Sequence, residues 1–339
     1  MRKHVTLITG ASGEIGHGLI ERLTDKHDTA IITIDLQPLE SSLGARVEHE
    51  YQGSILEAHL LERILSEYLV DTVYHLAAIL STRAEFTPVT GHQVNVEGTL
   101  RLLDFAQAQG ESHGRPVAFL YPSSIAAYGL PDLETKAAAG AVREHEWNNP
   151  TTMYGCNKLY CEHLGRYYAL HYKQLAAETL SGKVDFRAIR FPGLISAVTV
   201  PSGGTSDFAP EMIHAAARGE PYPCFVRPDA RIPFMTMPDA VDALVRLAHA
   251  ERQTLRQTVY NISAFNPSAD EIRALVTAEF PDARVSFEPD LKRQAIVDTW
   301  PAAVDDGAAR RDWGFDPAHD LERGFADYLL PSIRDRYRS

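Results

Sequence analysis

The chain has 339 residues and only three cysteines, Cys156, Cys161 and Cys224. Two of these fall in one stretch with helical spacing, and no Cys or His pair stands at zinc-ligand spacing beside a second pair. Neither a disulfide scaffold nor a metal centre is expected. The sequence also lacks any apolar run of about 18 residues that would suggest a membrane span. Nothing near Met1 resembles a signal peptide, so the expected compartment is the cytoplasm. Clusters of Lys and Arg are missing too. With 33 basic against 45 acidic residues the formal charge is -12, which disfavours nucleic acid and anionic membrane as partners, because phosphate binding draws on grouped cations. A small molecule is the expected partner.

What is present describes a folded α/β protein. Hydrophobic residues make up 45% and charged residues 23%, enough apolar material for a large core and a smaller companion lobe. Short β-branched runs alternate with amphipathic stretches in the first half. Strands are predicted at Val5–Thr9, Ala30–Asp35, Val47–Tyr51, Thr72–Leu76, Val117–Tyr121 and Phe186–Phe191, with helices at Ile15–Leu23 and Leu56–Tyr68. This order predicts a Rossmann-type, doubly wound parallel sheet. Beyond Pro192 the chain turns loop-rich, with Pro, Ser and Gly at 201–205 and five prolines between Pro221 and Pro238. Val259–Ile262 reads as a strand returning to the sheet, and Ser268–Phe280 as a helix capped by Ser268 and Asp270. Residues 1–193, with 236–263 returning to them, are assigned to the dinucleotide-binding domain. Residues 194–235 and 264–339, including a helix near Leu321–Tyr328, are assigned to the smaller C-terminal substrate lobe. Leu130–Asn149 is long for a connection and reads as a lid or an insertion.

The segment Thr9-Gly10-Ala11-Ser12-Gly13-Glu14-Ile15-Gly16 sets glycines three apart between a strand and a helix. In that context Gly10 permits a tight turn, Gly13 lets backbone amides approach a pyrophosphate, and Gly16 lets the helix close on the strand. Asp35 ends the second strand about 20 residues on, where a carboxylate accepts from the ribose hydroxyls and repels a 2′-phosphate. Leu36 and Gln37 follow it, without an arginine, so NAD is favoured over NADP. Further along, Tyr154 and Lys158 stand one helical turn apart. A phenol titrates near 10 unperturbed, and a neighbouring ammonium with a positive nicotinamide ring would favour its anion. Tyr154 can then act as the base in an alcohol oxidation. Pro122-Ser123-Ser124 closes the fifth strand, and Ser124 is the expected hydroxyl that positions the substrate oxygen.

These residues resemble the extended short-chain dehydrogenase/reductases over nearly the whole chain. The marks are the glycine loop, Asp35, His75-Leu76-Ala77-Ala78, Asn95, Ser124, Tyr154, Lys158 and Pro192-Gly193. The resemblance implies a cofactor set of Gly10, Ser12, Gly13, Glu14, Ile15, Gly16, Asp35, Ser54, Ile55, Leu76, Ala77, Ala78, Asn95, Tyr154, Lys158 and Pro192. At Ser54 the family usually has Asp; Ile55 can still pack on adenine. Within this group the second half resembles the short-chain L-threonine 3-dehydrogenase branch through 191–196, 203–209, 224–239 and 298–301. That implies oxidation of a β-hydroxy amino acid, with Ser81, Ser123, Ser124, Tyr154, Gly193, Thr205, Ser206 and Trp300 on the substrate side. Hydroxyls and backbone amides suit a zwitterion. Trp300 either covers the site or fills the core, and one of Thr205 and Ser206 is expected to cap a helix. In related enzymes the helices around 94–108 and 154–172 pair, so a homodimer is expected.

Two other readings share some of these residues. A nucleotide-sugar epimerase or dehydratase usually has Asn where Pro192 stands and Arg-Asp where Ile232-Pro233 stands, although Arg231 is adjacent. A non-catalytic dinucleotide sensor would be expected to lack the Tyr154-Lys158 pair.

Overall fold

The computed structural model describes residues 2–26, 29–176, 182–199, 201 and 203–337; Ser202 of the 201–205 stretch lies outside them. Among the described residues seven strands form the main sheet: β1 (Lys3–Thr9), β2 (Ile31–Asp35), β3 (His49–Gln52), β4 (Tyr68–His75), β5 (Val117–Ser124), β6 (Val184–Phe191) and β7 (Val259–Asn261). Their spatial order is β3-β2-β1-β4-β5-β6-β7, and all pairings are parallel. The order reverses between β1 and β4, which opens a crevice at the carboxyl ends of those two strands. The predicted strands are all present, with β4 beginning earlier than expected. The helix before it stops at Glu67, and Tyr68 already pairs with Lys3 of β1.

The apolar alternation of the strands supplies two layers. Val5 and Leu7 face one side of the sheet with Leu102, Leu103, Cys161 and Tyr168 from the helices Gly98–His113 and Met153–Leu170. Ile8 faces the other with Leu19, Ile20, Val241 and Leu244 from the helices Glu14–Lys26 and Met237–His249. Each such side chain contributes roughly 1.5–3 kcal/mol on full burial. The helix Gly307–Trp313 also packs here, with Trp313 edge-on to Tyr260 at 6.0 Å.

A third cluster, containing Phe208, Phe225, Phe234, Trp300 and Phe325, forms the core of the C-terminal lobe. The helix expected near Ser268 spans Ala269–Glu279, and its capping partner is Glu271 rather than Asp270. Ser268 accepts from the Glu271 amide while the Glu271 carboxylate accepts from the Ser268 amide, whereas Asp270 is spent on Arg273. The 130–149 stretch has structure of its own. It contains the helix Leu133–Ala139 and the short strand Ala141–Val142, which pairs with Ala303–Val304. Lys136 reaches the Val297 carbonyl at 3.0 Å and fixes the stretch to the lobe. Among the described residues no helix is long and apolar enough to cross a membrane.

Candidate active site

The glycine loop leaves β1 at the reversal point, where Leu76 N donates to Thr9 O (2.9 Å) and Gly10 N to Ile34 O (2.9 Å). Gly10 has φ +70°, and a Cβ there would stand 2.5 Å from the Ala77 nitrogen. Only glycine joins β1 to this loop while passing the Leu76-Ala77-Ala78 exit of β4 so closely. Gly16 packs on the Ala11 backbone, and Gly13 is exposed at the mouth. The Asp35 carboxylate accepts from Ser12 N at 2.9 Å and from Gln37 N at 3.0 Å, so the loop and the acidic strand end hold each other in register. Glu14 and Ile15 open the helix, whose first-turn amides suit a pyrophosphate. Thr199 donates to Glu14 across this mouth. Ile55 is buried against Gly98, and Ser54 accepts from Leu56 N. A loop that a side chain would fill, an oriented carboxylate and an exposed Gly13 together fit a dinucleotide.

Asn95 enters this site indirectly. Its amide accepts from Ile79 N (2.7 Å), donates to Ile79 O (3.0 Å) and reaches Asn157 (3.3 Å). It therefore fixes the chain leaving β4, which carries Leu76 to Ala78. Buried His75 was a family mark without a role, and the structure supplies one. Its Nδ1 meets Thr9 Oγ1 (2.8 Å) and its Nε2 meets Thr99 Oγ1 (2.9 Å), while burial first, and Lys158 second, pull it down to about 3. It is a neutral strut.

The residues expected to be catalytic, Ser124, Tyr154 and Lys158, stand on elements packed around the end of β5. Ser124 caps the turn Ile125–Ala127, its Oγ accepting from Ala126 N at 3.1 Å. The N-terminus of the Met153–Leu170 helix lies directly on that turn, because Gly155 follows Tyr154 and abuts the Ala126 carbonyl. Thr152 caps this helix through Gly155 N (3.1 Å), and Glu85 accepts from Met153 N. Lys158 donates to Pro122 O at 2.6 Å, with its ammonium 5.3 Å from the Tyr154 ring centroid and 4.7 Å from that of Tyr121. Two expectations need correction here. Burial pushes the Tyr154 phenol above its ordinary value, since desolvation disfavours the anion, so the lysine alone does not lower it. Ser123 does not join the site: on the opposite face of the strand from Ser124, its hydroxyl donates to Glu162 among buried side chains.

On the lobe side Thr205 Oγ1 lies 3.4 Å from Ser81 Oγ, and Thr82 donates to Gly203 O (3.0 Å), so two of the expected substrate residues come together from different parts of the chain. Neither Thr205 nor Ser206 caps the Phe208–Ala217 helix. Asp207 occupies the cap position, and its carboxylate accepts instead from Gly204 N (2.6 Å). Pro192 is buried, and Gly193 abuts the Phe234 ring. Trp300 is 4% exposed within the lobe core, against which Tyr154 also packs. Arg231 is committed to Glu271 (3.0 Å) and to the Asn266 carbonyl.

A dinucleotide crevice next to a tyrosine and a lysine on one helix defines a nicotinamide-dependent oxidoreductase. The model of the NAD dependent epimerase/dehydratase family matches residues 6–263, and the chain belongs to that family as an NAD-dependent enzyme. A Staphylococcus haemolyticus protein described as an uncharacterized epimerase/dehydratase is 32% identical over 97% of this chain and 98% of its own length. The mitochondrial L-threonine 3-dehydrogenase of Bos taurus is 31% identical over 93% of this chain and 79% of its own. The L-threonine dehydrogenase structure from Cupriavidus necator, in its holo form, superposes with a TM-score of 0.84 at 33% identity, covering 96% of this chain and 99% of that one.

Proposed function

We propose that this enzyme oxidises the β-hydroxyl of L-threonine, or of a closely related β-hydroxy amino acid, to the 3-oxo acid. The observation that carries this reading is the seating of the Tyr154 helix on the turn that Ser124 caps, together with the meeting of the Ser81 and Thr205 hydroxyls from distant parts of the chain. In it, residues 1–193 and 236–263 hold the cofactor, and 194–235 with 264–339 close over the substrate. Ser124 donates to the reacting oxygen, and Tyr154 takes its proton. Bound NAD supplies the hydride acceptor and a positive ring that offsets the desolvation of the phenol. Lys158, anchored on Pro122 O, adds a second positive charge 5.3 Å from the centroid of the Tyr154 phenol ring. Ser81, Thr205 and Ser206 serve the amino acid's polar groups, and the lobe core containing Trp300 excludes water behind Tyr154.

The sugar-nucleotide alternative loses support, because Arg231, the cation adjacent to the expected diphosphate position, is spent on Glu271 and Asn266. We propose a cytoplasmic homodimer joined through the outer faces of the Gly98–His113 and Met153–Leu170 helices, which expose Leu100, Tyr160, Tyr167 and Leu170. The function is tested by following absorbance at 340 nm with NAD and L-threonine, phenylserine or a UDP-sugar. NADH formation with an amino acid supports the reading. Sugar turnover without net NADH, or cofactor binding without turnover, contradicts it.

A further inference from the structure

The helix carrying Tyr154 and Lys158 holds another buried polar side chain one turn further on. Glu162 is 4% exposed, and both of its oxygens are bound by Arg190, Oε1 to Nε at 2.8 Å and Oε2 to Nη2 at 2.6 Å. Ser123 Oγ donates to the same Oε1. Arg190 lies opposite Ser123 in the register of β5 with β6, stacks over the Tyr128 ring at 4.6 Å and donates to Glu144 O at 3.0 Å. The carboxylate is thus fixed from two strands, and Lys158 is bonded to the residue immediately before Ser123.

This arrangement needs a reason, because burying ions is costly even when they are paired. The Lys158 ammonium lies over the rings of Tyr154 on its own helix and Tyr121 on β5; Cys161 and Glu162 follow it by three and four residues on the same buried helix, and buried His75 on β4 is near enough to feel its charge. Burial pushes Tyr154, Cys161 and Tyr121 up and His75 down, so all four are neutral at physiological pH. Glu162 is the anion among these groups. Burial pulls Lys158 down to about 8, with Cys161 and Glu162 opposing the fall, whereas a buried lysine with no counter-charge can drop to about 5–6.

We infer that Glu162 is the counter-charge of Lys158, a positioning residue fixed by Arg190 and Ser123, and that it keeps the lysine an ammonium beside Tyr154. The inference deepens the proposed alcohol oxidation and rests on it for the purpose of Lys158.

The direct test is an NMR titration of the lysine side chains in the protein without substrate, with Lys158 assigned through Lys158→Arg. The wild-type midpoint is expected near 8. Glu162→Gln removes the anion and leaves the Arg190 cation, so the midpoint should fall by about one unit or more. Arg190→Gln should raise it. Opposite displacements on removal of opposite charges are not produced by mere loosening of the core. In turnover, Glu162→Gln should lower kcat and move the alkaline limb to lower pH while the KM for NAD is retained, and Glu162→Asp should restore the limb. Equal midpoints in wild type and Glu162→Gln overturn the inference. Should that variant not fold, the wild type decides, since a midpoint below about 6 describes an uncompensated lysine. The threonine reading fails separately, by absence of NADH from the wild type while the NMR displacements persist.

Discussion

Gly155→Ala tests the geometry of the catalytic corner. The residue sits between Tyr154 and Cys156 at the start of the catalytic helix, where an added Cβ would overlap the Ala126 carbonyl oxygen and lie 2.9 Å from the Pro150 Cβ. One of these obstacles is backbone in the turn that Ser124 caps, so no side-chain rotation relieves it. The helix must back away from the end of β5, by on the order of 1 Å, and a misplacement of that size costs about 10²-fold in rate. Overpacking of this kind also costs ~1–3 kcal/mol. A calorimetric scan should therefore show Tm lowered by several degrees. Turnover at 340 nm should fall about 10²-fold, while NAD affinity, most of whose expected contacts lie in the loop after β1 and at the ends of β2 and β4, should fall far less. A Gly155→Ala protein with wild-type Tm and wild-type turnover would refute the close seating of the Tyr154 helix on the turn that Ser124 caps.

Three further outcomes are expected. Tyr154→Phe should keep NAD binding, measured by calorimetry, and lose roughly 10²- to 10⁴-fold in kcat, the range for removing a general base; near-normal turnover would take Tyr154 out of the mechanism. The pH profile should rise from pH 6 as the phenolate fraction grows, because burial holds Tyr154 protonated at low pH, and fall again above the Lys158 midpoint near 8 as the ammonium is lost. A flat profile from pH 6 to about 10 would contradict both assignments. Asp35→Ala removes the carboxylate that Ser12 and Gln37 orient, and should erode the preference for NAD over NADP in competing rate measurements; unchanged selectivity would place the discriminating charge elsewhere.

The parallel sheet was legible because its strands are buried on both faces and separated by amphipathic helices, so each β-branched run between turn signals marked one strand. The glycine loop and Asp35 were legible because their roles depend on local spacing. Ser123 was misread because sequence adjacency to Ser124 hides the alternation of a strand, which sends the two hydroxyls to opposite faces. Glu162 and Arg190 gave no signal as a pair: they are 28 residues apart and meet only when the Met153–Leu170 helix packs on β6. The spacing of Lys158 and Glu162 did hold a clue, as an i, i+4 pair on a helix destined for burial. The direction of the Tyr154 shift was missed for a related reason. Spacing showed a cation nearby, but the desolvation that outweighs it is a property of the assembled lobe.

The central claim is that Tyr154 takes the hydroxyl proton while the β-carbon hydrogen passes to the cofactor. It is tested most directly with L-threonine deuterated at Cβ, following the label by mass spectrometry. The account predicts deuterium in the NADH formed by the wild type, in equal amount to the threonine oxidised, and a rate reduced by the isotope. NADH that carries no deuterium, or no NADH from threonine at any pH, would contradict it.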